Sequence, residues 1–141
     1  MNISENEILK YSEVEKHFAD KLNVIRISNN GIVDFSIIND LIKTAEAKPN
    51  IYGILTKKPN EQKWELKYIG QRKSKYIKDR LRQHLVKKHE KTGAQLERVN
   101  NELKNGNEIG IKLFAVEPDE LRQFYEQKLL NNIDTLWNKH K

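Results

Sequence analysis

The sequence contains no cysteine. Disulfides and thiolate-held metal sites are thereby excluded, which suits a reducing cytoplasm as the compartment. Prolines number three and glycines six, and no repeat, low-complexity tract or flexible linker interrupts the chain. Apolar residues make up only 37% of the sequence, below the globular average. No apolar run approaches the roughly 18 residues that a membrane helix needs, so no membrane partner is expected. The first residues, Met1 to Glu7, are acidic and polar, unlike a signal peptide. What remains is enough for one domain: 141 residues whose apolar side chains are few but regularly spaced.

Charge is abundant and unevenly placed. The net charge is +6. Residues 1–48 balance at −2, residues 49–66 at +1 and residues 92–141 at −1. Residues 67–91 hold ten Lys or Arg against Asp79 and Glu90, a balance of +8. A focused positive charge points to a polyanion partner better than diffuse basicity does. The plainer alternative is a solvated helix face.

Periodicity supplies the elements. Ser4 with Glu7 forms a capping-box pattern, and the apolar spacing from Ile8 to Leu22 predicts a helix over 5–21. Val24–Ser28 and Ile32–Phe35 read as short strands around Asn29-Asn30-Gly31, a hairpin turn signal. Ser36 is expected to cap a helix over 37–47 that Pro49 ends. Ile51–Lys57 and Trp64–Gly70 predict two strands joined by the Pro59–Gln62 turn. A helix over 75–91 follows, capped by Ser74, with Ile77, Leu81 and Leu85 as its buried stripe. Thr92 with Gln95 suggests the next cap, and Leu96, Val99 and Leu103 a helix that stops at Asn105-Gly106. Ile109–Val116 alternates as a strand. Pro118 suits the first turn of a last helix, with Leu121, Phe124, Tyr125 and Leu129 buried and an apolar tail of Ile133, Leu136 and Trp137. The expected fold class is α+β: a small antiparallel sheet of three central strands flanked by helices. Residues 1–48 form a helix, hairpin and helix extension packed on a core of 49–141.

Within this order, a few residues carry chemistry. Arg80 and His84 are four apart and project from one helix face beside the apolar stripe. Arginine presents a planar, permanently charged fork to phosphate, and histidine can shuttle a proton near neutral pH. A surface Arg and a surface His are the ordinary alternative. Tyr52 and Tyr68 lie on neighbouring strands. With a reference pKa of about 10, a tyrosine serves as a base only where cations stabilise its phenolate; otherwise the two form a cross-strand aromatic pair. Glu126 is either a Mg²⁺ ligand, since that ion accepts a single carboxylate and keeps its waters, or the partner of Arg122 in an i,i+4 surface ion pair.

Taken together, Asn50-Ile51-Tyr52, Tyr68-Ile69-Gly70, Arg80-Leu-Arg-Gln-His84, Glu126 in Tyr-Glu-Gln-Lys-Leu-Leu and Asn138 in Thr-Leu-Trp-Asn resemble the motif of the GIY-YIG nuclease family. The resemblance covers residues 50–138, about two-thirds of the chain. Two departures stand out. Asn50 replaces the first glycine, a change that the shared tolerance of Asn and Gly for unusual backbone angles makes mild. The 15 residues between Tyr52 and Tyr68 make a longer hairpin than usual.

The resemblance implies a DNA endonuclease dependent on Mg²⁺ or Mn²⁺. Tyr52 would be the general base, its proton passed toward His84. Tyr68 would position the attacking water, Arg80 would bind the scissile phosphate, Glu126 would hold the metal, and Asn138 would support the site by hydrogen bonding. Arg72, Lys73, Lys75, Lys78, Arg82, Lys87, Lys88 and Lys91 read as phosphate contacts with double-stranded DNA, which give affinity and not sequence choice. Asn60, Gln62 and Lys63 at the hairpin tip are candidate base readers. The small size fits a restriction-type or phage-type enzyme, and a double-strand break would need a homodimer or larger assembly. A nucleic-acid-binding module without catalysis is the alternative.

Overall fold

A computed structural model of the chain describes residues 5–87 and 94–138. In chain order the elements are α1 (Glu5–Ala19), β1 (Ile25–Arg26), β2 (Ser28–Asn29), β3 (Ile32–Val33), α2 (Phe35–Thr44), β4 (Ile51–Lys57), β5 (Glu65–Gln71), α3 (Ile77–Leu85), α4 (Leu96–Lys104), β6 (Glu108–Phe114) and α5 (Arg122–Asn132), the last preceded by a 3₁₀ turn over Asp119–Leu121. The fold is α+β. Its main sheet runs β1-β6-β4-β5, antiparallel throughout.

β4 is the central strand, and its first six residues are all buried. That burial requires cover on both faces. On one face α1 and α5 bring Tyr11, Val14, Phe18, Tyr125, Leu129 and Leu130 onto Ile51, Leu55, Leu66 and Ile69. On the other, α2, α3 and α4 bring Phe35, Ile38, Ile77, Leu81, Leu85 and Val99 onto Tyr52, Ile54, Ile109 and Ile111. Each fully buried aliphatic side chain contributes about 1.5–3 kcal/mol, so two modest layers suffice for a chain this polar.

Several expectations are refined. The sheet has four strands, not three: β1, from the N-terminal extension, pairs Ile25 with Ile111 and Arg26 with Gly110. The expected first hairpin therefore divides. Only β2 and β3 pair with each other, around Asn30 and Gly31, whose φ of 52° and 79° are what a tight two-residue turn demands. α2 begins at Phe35 because Asp34, not Ser36, is the cap: its Oδ1 accepts from the Ser36 N–H at 3.1 Å. α3 starts after Tyr76 rather than Ser74 and ends at Leu85. Phe124 is 52% exposed, since α5 meets the sheet through Tyr125, Leu129 and Leu130 and residue 124 lies about 100° off that stripe. Leu136 is exposed too, while Trp137 is buried. Ser4, Lys88, Lys91 and Thr92 lie outside the described residues. Among the described residues no helix is long and apolar enough to cross a membrane.

Candidate active site

Strand alternation puts Tyr52 and Tyr68 on the face that α3 covers. Tyr52 stands directly opposite Gly70 in the β4–β5 ladder. Its ring crosses the position where a side chain on residue 70 would be, and a Cβ there would overlap Cζ and Oη of Tyr52. Glycine in the Tyr68-Ile69-Gly70 triplet is thus required by close approach. The ring is buried, and Tyr52 Oη lies 2.8 Å from His84 Nε2. His84 is itself wholly buried, part of the face carrying Leu81 and Leu85 rather than flanking it. The backbone N–H of Gln95, at the start of α4, donates to His84 Nδ1 at 2.9 Å. The three rings of Tyr52, Tyr68 and His84 sit with centroids 5.1–6.2 Å apart. Arg80, one turn before His84, hydrogen-bonds to the hydroxyls of both tyrosines. Its Nη1 also donates to Gln83 Oε1 at 2.9 Å, which steadies the guanidinium.

Glu126 and Asn138 come from the far end of the chain, and the outer edge of β5 is what places them. β5 has a sheet partner on one side only. On the other, the Lys67 carbonyl accepts from the Trp137 N–H at 2.8 Å. The Asn138 side chain takes both groups of Ile69: its Oδ1 accepts from the Ile69 N–H at 3.0 Å and its Nδ2 donates to the Ile69 carbonyl at 2.9 Å. The Gln71 N–H then donates to the Glu126 carboxylate. One edge strand thereby fixes Asn138 between the backbones of Tyr68 and Gly70 and holds Glu126 at the strand end. Among the described residues Arg122 pairs with Asp119 at 2.6 Å and donates to Gln71 Oε1 at 2.8 Å, so the alternative of an Arg122–Glu126 surface pair is not formed.

Burial sets the protonation states. It pushes the Tyr52 phenol up, and the neighbouring Tyr68 and Glu126 push the same way while Arg80 opposes them. Tyr68 is raised by burial, with Arg80 again opposing. Burial and then the Arg80 charge bring His84 down to about 3, so it is neutral across the physiological range. The expectation of a histidine that gains and loses a proton near neutral pH is corrected: an imidazolium in this dry position beside Arg80 is too costly. Burial raises Glu126 to about 7, offset only by the Gln71 N–H.

Asn50 does not serve the role expected of it. Among the described residues only Asn30 is a non-glycine with positive φ, so Asn50 has ordinary backbone angles. Its buried amide instead fastens the chain after β6. Oδ1 accepts from the Val116 N–H at 2.8 Å, and Nδ2 donates to the Val116 carbonyl at 2.8 Å and to Asp119 Oδ1 at 3.0 Å.

Of the expected phosphate contacts, Arg72, Lys73, Lys75, Lys78 and Lys87 are exposed around the start and end of α3. Arg82 is exposed as well, but its guanidinium lies 4.4 Å from the centre of the Phe35 ring, a stacking contact with the N-terminal extension. Asn60, Gln62 and Lys63 are exposed at the hairpin tip.

The residues fit a hard divalent cation in one respect. Glu126 is a half-buried carboxylate, raised by burial, with which no Lys or Arg among the described residues forms an ion pair. A bound cation would relieve that. No group of three His, Asp or Glu side chains converges among the described residues, so most of the coordination would fall to water and phosphate, as Mg²⁺ permits. Sequence spacing did not reveal Gln71, Gln83 or Gln95. Two of these act through a backbone N–H, which leaves no trace in side-chain identity; only β5 being an edge strand signals that Gln71 has a free donor. Comparison of the chain with protein-family models, with curated proteins and with solved structures finds no significant match.

Proposed function

We propose that this protein is a metal-dependent endonuclease of the GIY-YIG type, acting on the phosphodiester bonds of double-stranded DNA. One observation carries the reading. Tyr52, Tyr68, Arg80 and His84 converge on one patch of the sheet, with Glu126 near enough to raise both tyrosines. Binding nucleic acid requires exposed cations; it does not require a buried tyrosine beside a half-buried one, a wholly buried histidine and a carboxylate with which no Lys or Arg among the described residues pairs. The basic stretch after β5 lies beside this patch and supplies the affinity.

The chemistry follows from the placements. In the reacting state the Tyr52 phenolate oxygen takes a proton from a water as that water attacks phosphorus. Arg80, which touches both hydroxyls, favours the phenolate and offsets the negative charge that builds on the phosphoryl oxygens. Tyr68 donates to the attacking water and orients it. Asn138 keeps Tyr68 and Gly70 in register through Ile69. A divalent cation held by Glu126 would supply charge to stabilise the leaving oxygen.

Nicking of a supercoiled plasmid in Mg²⁺, abolished by EDTA, tests the activity. Glu126→Ala is expected to bind DNA and not to cut it. Full Mg²⁺-dependent cutting by that variant overturns the metal assignment. Absence of any metal-dependent product with the parent protein favours a binding module. Mapping cleavage on random-sequence DNA distinguishes a restriction-type enzyme from a nonspecific nickase, and the oligomeric state during cutting tests the homodimer.

A further inference from the structure

We infer that His84 is a fixed hydrogen-bond donor to Tyr52, and that the backbone amide of Gln95 makes it one. For its catalytic meaning the inference rests on the nuclease reading; the tautomer itself does not.

A neutral imidazole has one N–H and one lone pair. The Gln95 N–H is a donor and nothing else, and it lies 2.9 Å from His84 Nδ1. Nδ1 must therefore carry the lone pair. The ring proton is then on Nε2, 2.8 Å from Tyr52 Oη. The bond between His84 and Tyr52 has a direction: the histidine donates and the phenol oxygen accepts. A ring nitrogen that already carries a proton takes no other, so His84 does not receive the Tyr52 proton. The Tyr68 ring stands beside Tyr52, their centroids 6.2 Å apart. When Tyr52 is ionised, its oxygen keeps two donors, the His84 N–H and the Arg80 guanidinium.

This arrangement assigns functions to residues outside the family motif. Gln95 is a positioning residue that acts through its main chain. Arg98, one turn into α4, donates to Gln95 Oε1 at 3.2 Å and to the Trp137 carbonyl at 2.8 Å. It ties the donor that orients His84 to the segment that orients Tyr68, so both tyrosines are set by one connection between α4 and the chain end.

The direct test is the ¹⁵N spectrum of the His84 ring in the full-length protein at neutral pH. A protonated Nε2 and a bare Nδ1 are expected; a protonated Nδ1 overturns the inference with no appeal to activity. Gln95→Pro removes the main-chain donor and the Gln95 side chain at the position just before α4, where a φ of −97° has to shift by about 30° to suit proline. It should yield a mixed tautomer, whereas Gln95→Ala keeps the N–H and should keep Nε2–H. An unmixed Nε2–H signal in folded Gln95→Pro overturns the assignment to Gln95. Activity separates donor from proton carrier. Glutamine at position 84 donates at the same place but carries no proton. His84→Gln is expected to exceed His84→Ala in kcat by about 10- to 100-fold, the worth of a hydrogen bond to a charged oxygen. Equal loss in the two variants, with both folded, refutes the donor role. If the parent protein cuts nothing, the nuclease reading fails while the spectrum still decides the tautomer.

Discussion

One added methyl group at Gly70 tests how tightly Tyr52 is held. The Cβ of Gly70→Ala would overlap Cζ and Oη of Tyr52 and lie 2.9 Å from Cε2, where an ordinary contact is 3.4–4 Å. The ring has to move by about 1 Å to restore contact, and that is the scale at which misplacing a reacting group costs about 100-fold in rate. It has nowhere to go. Tyr52 is 1% exposed, and its hydroxyl is already 2.8 Å from a histidine that is 0% exposed. Two losses are therefore expected together. Overpacking should lower stability by about 1–3 kcal/mol, read as a shift of the denaturant midpoint. Single-turnover plasmid nicking should slow by about 100-fold, or about 2.7 kcal/mol of transition-state stabilisation. A second background isolates the cause. With Tyr52→Leu the ring is absent, so adding Gly70→Ala should cost at least about 1 kcal/mol less than it does in the parent. A Gly70→Ala protein with parental midpoint and parental rate refutes the reasoning, and so does a penalty that persists undiminished in the Tyr52→Leu background.

Other outcomes follow from the same geometry. His84 has a native value near 3 against 6.5 when unfolded, so below pH 6.5 the unfolded chain binds the proton that the native chain refuses. Stability from this residue is fully present above pH 6.5, falls by about 1.4 kcal/mol per unit as pH drops, and amounts to a loss of about 2 kcal/mol at pH 5. His17, also held down by burial, has the same sign. The check is therefore the difference in pH slope between the parent and His84→Phe, and identical slopes contradict it. Asn50→Gly should destabilise by about 2–3 kcal/mol in urea unfolding, because it strands the buried N–H and carbonyl of Val116. Unchanged stability would mean that water replaces the amide. Because Glu126 is raised to about 7, protons compete with metal below that value. The Mg²⁺ concentration for half-maximal cleavage should rise about tenfold per pH unit below 7 and level off above it. A flat dependence contradicts the ligand assignment.

The parts of the fold written in side-chain periodicity were legible in the sequence. The bounds of β4 agree residue for residue, because six consecutive buried positions between a proline and a polar turn admit little else. The stop of α4 at Asn105-Gly106 is equally local: Gly106 takes a φ of 83°. What the sequence hid were arrangements made by backbone groups. The division of residues 24–29 between two sheets depends on a free edge of β6 that no local pattern reports. The site divides in the same way. Side-chain identity suggested Tyr52, Tyr68, Arg80 and His84 as a group, and the structure brings them together. The physical reasons differ. Helical spacing puts His84 beside the core and packing puts it inside, while Asn50 acts through its side-chain amide and not through a glycine-like backbone. The Asp119–Arg122 pair is local, three residues apart, but its links to Gln71 and Asn50 span 51 and 69 residues, beyond the reach of any spacing argument.

The charge balance of the site sets a condition on how it can act. Three of its acids, Tyr52, Tyr68 and Glu126, are all pushed toward their protonated forms by burial. Arg80 is the cation that opposes this at the tyrosines, and among the described residues Arg72, Lys73, Lys75, Lys78, Arg82 and Lys87 are exposed, where solvent screens their charge. An ionised Glu126 works against an ionised Tyr52, since its charge is among the causes that raise the phenol. A base at Tyr52 and a bare carboxylate at Glu126 are thus mutually unfavourable, and compensation of the Glu126 charge removes the conflict. Glu126→Gln isolates that coupling, because it deletes the charge and keeps the shape. Ultraviolet titration of the phenol should find Tyr52 ionising at lower pH in Glu126→Gln than in the parent. An unchanged or higher titration midpoint would mean that the two groups do not sense each other, and that the carboxylate belongs to the strand edge alone.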